Sequence, residues 1–429
     1  MKAVLDEALK RGAEATLISS ESRRTEVSFD FNRLKNVEDT ESFGLSLQVI
    51  KDGKLGMANS TRAGGEEELL EKALSVAEFG SAVSYEFPAP EPHANPRMFY
   101  REVTQFQLDD MISLGEELVE FIKTLDPAIN GSAGVSRNVI RKTIANTRGL
   151  LASWEKTSFF VSAGFQFVEG QNLLQSWDWD ASCSVRYDLG RMKAKIKEDF
   201  ELGRKNVHVE PGVYDVLFTP MGFASIIHPI LACLDGRAVM RGISPFKDRI
   251  GEEIFAPSFS LIEDGTLDDG LGSQLYDDQG VACRRTPLID RGVLREYLVD
   301  LESARRLGRK PIGTGTASGS RPNNLLVIPG EKPWEDLLRG MKRGIVIDQT
   351  MGAWAGNPYT GTVTGNISLG FLVIDGEKVG RVKDCMFSLN VFSHLKSNLL
   401  ALSRESKNTG QAILPYCLVG GVSIATRTS

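Results

Sequence analysis

The histidines of the chain are the first residues to test for metal chemistry. A hydrolytic zinc site needs two histidines on one helix face, or three His, Cys or carboxylate ligands, together with a general base. The sequence contains no HExxH motif, and no two of its histidines lie within five residues of each other. The nearest pairing, His228 with Cys233, has no glutamate between its members. A single histidine beside a proline is more often packed or exposed than a ligand, so we predict no metal and no cofactor here.

Two glycine-rich segments could bring a backbone close to a ligand. Residues 313–319 lack the strand-to-helix context of a phosphate-binding loop, so we interpret them first as a flexible loop and second as a ligand-facing loop. Residues 352–371, GAWAGNPYTGTVTGNISLGF, combine glycines with two asparagines and small hydroxyl residues. That composition is equally consistent with close approach to a ligand or peptide and with a tightly turned strand-rich segment.

Other catalytic and nucleic-acid signals are weak. The sequence has no GxSxG elbow that would place a nucleophilic serine between a strand and a helix. Its densest basic patch, Arg305, Arg306, Arg309 and Lys310, fits a solvated helix end, where the dipole favours cations. With Lys+Arg 50 against Asp+Glu 56, the net charge of -6 argues against direct binding to nucleic acid.

Length and composition limit the class of protein. A chain of 429 residues exceeds one ordinary core, so two domains are expected. No segment approaches the ~20 apolar residues of a membrane span, and the first residues, MKAVLDE, lack the apolar core of a signal peptide. Five cysteines lie far apart, which indicates reduced thiols. We therefore predict a soluble, cytoplasmic protein.

A strand-to-helix junction lies near the middle of the chain, at residues 213–231, VYDVLFTPMGFASIIHPIL. Residues 213–218 read as a short strand, and an apolar helix follows. Thr219 suits the N-cap position, and Pro220 suits the first helical position, where its missing N–H costs little. Junctions of this kind often carry active-site residues, but this one offers no side chain that could act as a base or nucleophile.

The remaining elements predict an α+β fold. Residues 1–187 read as an N-terminal domain of helices, at 65–79 and 107–124 among others, packed on an antiparallel sheet. Alternating apolar residues predict strands of this sheet at 25–31 and 43–50, and Asp52-Gly53 predicts a type I′ hairpin turn after the second. We interpret the charged residues 188–204 as a solvated linker helix. Residues 205–429 carry repeated Asp-Gly hairpin signals and predict a β-rich C-terminal domain.

Three segments, taken together and in order, resemble the TldD/PmbA family, formerly called modulators of DNA gyrase. They are IANTRGLLASWEKTSFFVSAGF at 144–165, GVLREYLVDLESARRLGRK at 292–310 followed by GTGTAS, and NPYTGTVTGNISLGFLVIDGE at 357–377. The resemblance extends over nearly the whole chain. It implies an N-terminal α/β domain, a β-rich C-terminal domain and dimers. In the TldD branch it also implies a zinc-type metallopeptidase site, built from an HExxxH motif and a late cysteine.

The residues that this resemblance assigns to the metal site are replaced here. The HExxxH motif falls at residues 219–224, with Thr219 at the first histidine, Pro220 at the glutamate and Ala224 at the second histidine. The late cysteine falls in ESKNTGQ, at Ser406 or a neighbour, and Cys417 lies in the following strand-like segment. The resemblance therefore implies the TldE/PmbA branch, which lacks the metal ligands and catalytic residues and pairs with a TldD subunit to cleave peptides, including leader peptides of modified microcins.

We accordingly predict a non-catalytic subunit of a TldD–TldE-type metallopeptidase, paired with an HExxxH-bearing subunit or with itself, that forms part of a peptide channel. The candidate channel residues are Gly352, Asn357, Thr360, Gly361, Asn366 and Gly370.

Two alternatives remain open at the level of sequence. One is an independent peptide hydrolase or peptide-binding protein whose site uses Asp348, Asn357 and Asn366. The other is a regulator of a nucleic-acid enzyme such as DNA gyrase, for which the basic patch at 305–310 is the sequence support.

Overall fold

A computed structural model describes residues 1–170, 172–410 and 412–426, and it has the predicted α+β architecture. The helices are α1 Lys2–Lys10, α2 Glu66–Glu78, α3 Arg101–Gln105, α4 Leu108–Lys123, α5 Leu189–Gly203, α6 Pro220–Ile226, α7 His228–Leu234, α8 Gly236–Met240, α9 Leu301–Leu307, α10 Trp334–Arg339 and α11 Val391–Ser397. A 3₁₀ turn spans Pro358–Thr360. Across the described residues, no helix combines the length and the apolar character needed to cross a membrane.

The strands form two main sheets and a small hairpin. They are β1 Ala13–Asp30, β2 Arg33–Lys51, β3 Lys54–Ser60, β4 Asn130–Asn146, β5 Leu151–Glu169, β6 Asn172–Ser182, β7 Asn206–Val207, β8 Gly212–Phe218, β9 Leu261–Asp264, β10 Arg285–Asp290, β11 Val293–Leu294, β12 Gly315–Thr316, β13 Gly319–Ser320, β14 Leu325–Val327, β15 Arg343–Met351, β16 Thr362–Ile374, β17 Glu377–Val382, β18 Cys385–Asn390, β19 Leu399–Asn408 and β20 Ala412–Thr426. The pair β12–β13 stands apart from both sheets.

The first sheet is antiparallel and has the strand order β3-β2-β1-β4-β5-β6. The predicted hairpin between β2 and β3 is confirmed, because Asp52 and Gly53 both have positive φ, as a type I′ turn requires. The first two strands begin well before the predicted segments at 25–31 and 43–50. Residues 33–42 of β2 are exposed on both faces, so they carry no apolar alternation that would reveal a strand.

Helices cover one face of the first sheet. The apolar stripe of α4, including Leu118 and Ile122, packs on Val27 and Val135 of β1 and β4. Helices α1 and α2 cover the other end of the same sheet, where Leu17 is buried beneath them. In both contacts, apolar residues that recur every three to four positions form one face of the helix, and apolar residues at every second position form the facing side of the strand.

The second sheet is mixed and runs β11-β10-β9-β14-β20-β8-β15-β16-β17-β7, while β18 joins β16 to β20 and β19 pairs with β20. At its centre β8 is parallel to β15 and antiparallel to β20. Since successive side chains of a strand point to opposite faces, Phe218 and Ile347 pack in a core with α6 and α7. Leu217 and Val346 face the other way, toward α5 and the first sheet.

Helix α5 forms where the sequence predicts a helix, but its interpretation as a solvated linker is wrong. Met192, Ile196 and Phe200 are buried, and they pack in a core shared with residues of both sheets. Charged residues dominate the segment, and only about one residue per turn is both apolar and buried. An interpretation based on charge alone therefore overlooks the buried face of this helix. Helix α5 therefore joins the two sheets. The domain limits at residues 187 and 205 stay a prediction.

Helix α6 lies so close to β15 that a side chain at Gly222 has no room. A Cβ atom at Gly222 would overlap the carbonyl oxygen of Ile347, which is fixed in the sheet. We expect Gly222→Ala to lower the free energy of unfolding by about 1–3 kcal/mol, measured by urea denaturation. The matched control is Gly190→Ala in α5, where a Cβ makes ordinary contact and alanine favours the helix. Equal stability of the two variants would contradict this packing.

Candidate functional site

The junction between β8 and α6 has the capping geometry that the sequence predicts. The Thr219 hydroxyl accepts a hydrogen bond from the backbone N–H of Gly222 at 3.2 Å, and Pro220 occupies the first turn of the helix. The same hydroxyl donates to Oδ1 of Asp348 at 2.7 Å. Thr219 therefore caps a helix and also holds a carboxylate of the adjacent strand β15.

Asp348 belongs to a buried charge cluster centred on Lys195. The Nζ atom of Lys195 lies 2.8 Å from Oδ2 of Asp348 and 2.6 Å from Oδ2 of Asp199. The side chains of Asp199 and Asp348 are 3% and 4% exposed. Ser176 of β6 donates its hydroxyl to Asp199 at 2.6 Å. Helix α5, strand β15 and the edge strand of the first sheet thus meet at one ammonium group.

The two carboxylates of this cluster titrate differently. Burial raises the pKa of Asp199, and the charge of Lys195 offsets this only in part. Burial also opposes ionisation of Asp348, but Lys195 and the hydrogen bonds from Lys195 and Thr219 outweigh it and lower the pKa of Asp348. Burial disfavours the Lys195 cation, yet the two carboxylates raise its pKa. On acidification Asp199 is therefore the first of the two to take up a proton.

A second charge cluster lies beside the first. Asp178 of β6 is 1% exposed and is paired with both Lys407 and Arg191. Arg191 reaches Oδ2 of Asp178 and Oδ1 of Asp180, each at 2.6 Å. Burial lowers the pKa of Lys407, against the favourable charge of Asp178. The side chains from β6, α5 and β19 are thereby held together across the gap between the sheets.

These two clusters border a cavity of about 950 Å³ between α5, the first sheet and the second sheet. Its lining includes Thr219, Pro220, Asp348 and Ser406. Among its apolar lining residues is Tyr416, whose ring stacks on Trp334 with centroids 5.0 Å apart. A space of this size, with a few placed charges and aromatic rings, is suited to a small molecule or a peptide segment.

The structure brings together some of the predicted site residues and separates others. Thr219 and Pro220, which are adjacent, line the same cavity as Ser406, which is distant from them in sequence. Ala224 is not among the described residues that line the cavity; it is half-buried and packs against the core between α6 and the second sheet. The candidates from the glycine-rich segment are not among the described residues that line the cavity; these are Gly352, Asn357, Thr360, Gly361, Asn366 and Gly370.

The glycine-rich candidates have local roles of their own. The Asn357 side chain accepts from Tyr359 N and caps the 3₁₀ turn, while the carbonyl of Thr360 accepts from Asn390. Gly361 has a φ of 72° and lies against the Phe392 ring. Gly370 lies within β16, where a Cβ would be crowded by the carbonyl oxygen of Val346, and Asn366 is exposed on the same strand. Their suggested contact with a peptide stays a prediction.

Apart from Asp348, which the sequence suggests for an alternative site, the residues that sequence reasoning missed are those of the charge clusters. Lys195 and Asp199 were included in a solvated helix, although Asp199 lies on the apolar stripe of α5, seven residues after Met192. An acid on an apolar stripe is a signal of a buried carboxylate with a partner. Asp178 and Lys407 are separated by more than two hundred residues, so no local pattern could pair them.

The residues first examined for metal chemistry have other environments. The His228 ring stacks on Trp354 with centroids 5.5 Å apart, and Cys233 is buried. Throughout residues 1–170, 172–410 and 412–426, no group of three or more His, Cys, Asp or Glu side chains is placed so that it could hold a metal ion.

Sequence and structure comparisons agree on the relatives of this chain. Residues 211–426 match the family model described as PmbA/TldA metallopeptidase C-terminal domain, and residues 15–78 match PmbA/TldA metallopeptidase domain 1. The chain belongs to the PmbA/TldD family. A Methanocaldococcus jannaschii protein is 26% identical over 427 residues, which cover 96% of each chain.

Two further PmbA/TldD relatives span nearly the whole chain. Metalloprotease PmbA of Escherichia coli O157:H7 is 23% identical over 443 residues, covering 96% of this chain and 92% of its own length. The crystal structure of TldE from Thermococcus kodakarensis has the same fold, with a TM-score of 0.91, 21% identity and coverage of 99% of each chain. The predicted family and fold are confirmed.

Removing the ammonium of Lys195 should expose the cost of burying two acids. We expect Lys195→Met to lose about 3–5 kcal/mol of unfolding free energy at pH 7, measured by urea denaturation. Adding Asp199→Asn and Asp348→Asn to this variant should recover much of the loss, because no uncompensated charge remains. Lys197→Met, on an exposed position of the same helix, should change stability by less than about 0.5 kcal/mol. A Lys195→Met protein as stable as the wild type would contradict the cluster.

Asp348→Asn should destabilise in a pH-dependent way. The folded pKa of Asp348 lies below its unfolded value of about 4, so the ionised form stabilises above that value. This contribution is lost as the pH falls through the folded pKa. The difference in Tm between wild type and Asp348→Asn should therefore be full above about pH 5 and shrink below about pH 4.

Asp199→Asn provides the comparison, because the pKa of Asp199 is raised rather than lowered. Its stabilising contribution is present below the unfolded pKa and is lost as the pH rises through the folded pKa. Asp199→Asn should therefore be tolerated better than Asp348→Asn at pH 7. A difference in Tm that does not vary with pH for Asp348→Asn would rule out this assignment.

Proposed function

We propose that this chain is a TldE/PmbA-like subunit of a two-component peptidase, in which an HExxxH-bearing family member holds the metal. The observation that carries the proposal is the chemistry at the family's metal position. There, Thr219 is hydrogen-bonded to Asp348, and Asp348 is bonded to the ammonium of Lys195. The family relationship supplies the metallopeptidase context, and this local chemistry supports a non-catalytic role.

The donor set around Thr219 does not suit a zinc ion. Zinc in proteins is bound by imidazole, thiolate or carboxylate groups. Here Thr219 and Ser406 offer neutral hydroxyls to the cavity, and Pro220 offers no donor or base. The nearby carboxylates of Asp199 and Asp348 are both occupied by Lys195, whose positive charge would repel a divalent cation. We infer that the metal and its chemistry belong to the partner.

The cavity is our candidate for this chain's share of the peptide channel. Its volume of about 950 Å³ accommodates several side chains, and its wall combines charged groups with the stacked rings of Trp334 and Tyr416. Thr219 and Pro220, at the position that the family resemblance assigns to the metal, lie on this wall. Binding and orienting a peptide needs no metal in this subunit.

An exposed row on the second sheet is our candidate for the surface that meets the partner. Asn366 of β16 pairs with Met351 of β15 on one side and with Met386 of β18 on the other. The two methionines are 64% and 42% exposed. Exposed methionines close together on one sheet, here on either side of Asn366, are typical of an interaction surface. Of the predicted glycine-rich candidates, Asn366 would then contact the partner.

The two alternative functions have less support from the contacts. An independent hydrolase that uses Asp348 would require a free carboxylate, whereas Asp348 is engaged by Lys195 and Thr219. A nucleic-acid role would rely on the basic patch, in which Arg306 is paired with Glu302 and Arg309 with Glu296. Peptide cleavage by the pure chain, abolished in Asp348→Asn, would instead favour the hydrolase.

The test is co-expression with an HExxxH-bearing family member from the same genome. We expect a complex in size-exclusion chromatography, with zinc and peptide cleavage that depend on the partner's motif. Met386→Asp should weaken the complex at least roughly tenfold, because it buries a charge in the interface. Phe79→Asp, at an 87% exposed position on the first-sheet side, is the matched control and should leave the complex intact.

Two results would overturn this proposal. One is the absence of any complex or effect on cleavage. The other is stoichiometric zinc bound to the pure chain together with peptide hydrolysis that does not need a partner.

A further inference from the structure

The cavity described above has an unequal balance of charge. Among the described residues that line it, nine are acidic and five are basic. Both signs lie around the same space, so the balance alone does not identify an occupant. The charge of a suitable occupant depends on which of these groups already have a partner of opposite charge within the chain.

Every basic side chain among the described lining residues is already paired with an acid. Lys195 holds Asp199 and Asp348, and Arg191 holds Asp178 and Asp180. The remaining basic groups are paired in the same way, Arg186 with Asp269, Lys378 with Glu198 and Lys407 with Asp178. An incoming anion would therefore meet cations whose charge is already offset by an acid, and drawing one of them out of its ion pair costs several kcal/mol when the acid left behind is buried.

Several acids of the lining are different, because they have no cationic partner among the described residues. Asp188 caps α5 by accepting from Arg191 N, and Asp268 accepts from Arg97 N. Glu335 lies in the first turn of α10. All three side chains belong to exposed residues, so they stand where the cavity opens to solvent. The exposed part of the described lining therefore carries an excess of negative charge, while the deeper charged groups are engaged in ion pairs.

One wall of the cavity already shows how an ammonium group is held there. Nζ of Lys378 lies 5.5 Å from the ring centroids of both Trp334 and Phe371 and 2.9 Å from both carboxylate oxygens of Glu198. Aromatic faces and a carboxylate are the groups that bind cations by electrostatics. This lysine is the chain's own, and it shows that the wall is compatible with a cation.

We propose that the cavity selects peptide segments that carry a positive charge, either a Lys or Arg side chain or a free N-terminal ammonium. The proposal rests on the proposed function, since it assigns a substrate class to the same cavity. A cation entering past Asp188, Asp268 and Glu335 gains attraction from uncompensated acids and disturbs no internal ion pair. An acidic peptide meets repulsion at the opening and finds no unpaired cation among the lining residues that the structure describes.

The experiment measures peptide binding by isothermal titration calorimetry, with the pure chain and with the complex of chain and partner. Three hexapeptides, N-acetylated and C-amidated, differ in a single central residue that is Lys, norleucine or Glu. A fourth has a free N-terminus and norleucine, which separates a terminal ammonium from a side chain. We expect the Lys peptide to bind at least roughly tenfold more tightly than the norleucine peptide, and the Glu peptide to bind most weakly.

The opening acids provide the variants. Asp268→Asn keeps the acceptor for Arg97 N and removes the charge, and Glu335→Gln removes a charge with no hydrogen bond of its own in the described chain. Together they should reduce the preference for Lys over norleucine to less than roughly threefold, as should raising the salt to about 0.5 M. Glu67→Gln, an exposed acid on α2 far from the cavity, is the matched control and should leave the preference unchanged.

The outcomes separate this proposal from the partnership. Equal affinity for the Lys, norleucine and Glu peptides would overturn the preference, and so would a preference that survives Asp268→Asn with Glu335→Gln. Failure of the Lys peptide to bind either the chain or the complex would overturn it as well. If the chain prefers the Lys peptide but forms no complex with an HExxxH-bearing relative, the partnership is wrong and the charge preference holds.

Discussion

The ammonium of Lys195 is the point at which the two sheets are tied together. It reaches Asp199 one turn further along its own helix and Asp348 on the central strand of the second sheet. Asp199 in turn accepts from Ser176 of the first sheet, and Asp348 accepts from Thr219 at the start of α6. Each of these groups would be costly to bury alone. The position of α5, the start of α6 and the floor of the cavity are therefore fixed by one set of mutually dependent contacts.

Such a cluster adds less to stability than its distances suggest. Desolvation of three charges consumes most of the attraction between them, so apolar residues of similar size could stabilise the same position equally well. The cluster matters more for the electrostatic potential that it produces inside the cavity. Because the deep charged groups are already engaged with one another, the acids at the opening that have no cationic partner among the described residues dominate what an approaching peptide meets. The buried ion pairs thus make the selectivity of the cavity depend on a few exposed side chains.

Local signals were readable from the sequence, and long-range ones were not. Asp52-Gly53 predicts its turn because positive φ is a property of those two residues, and Thr219-Pro220 predicts a helix start for the same local reason. The burial of α5 depends on Asp348, 153 residues after Lys195, which no periodicity reports. Residues 33–42 form a strand by pairing with β1, although their own side chains are exposed. The glycine-rich segment could not be interpreted for a different reason. Gly361 forms a turn and Asn357 caps it, but the same residue types are also common in ligand contacts, so composition does not distinguish the two roles.

Within our proposal, the residues around the position that the family resemblance assigns to the metal have changed together. Threonine is smaller than histidine, so this replacement alone would leave contacts of the junction unfilled. Here the Thr219 hydroxyl makes contacts of its own, because it caps α6 and binds Asp348. Pro220 begins the helix with no free N–H to satisfy, and Gly222 lets α6 rest on the backbone of β15. Asp348 would then be an unpaired buried acid, and Lys195 supplies its counter-charge. Each of these residues depends on its neighbour in the chain of contacts. A single histidine introduced at residue 219 would therefore lie beside a carboxylate that is already paired with an ammonium group, and it would recreate no zinc site. Within our proposal, the loss of metal chemistry in this subunit is therefore built into the packing of α5 and α6 and does not depend on residue 219 alone.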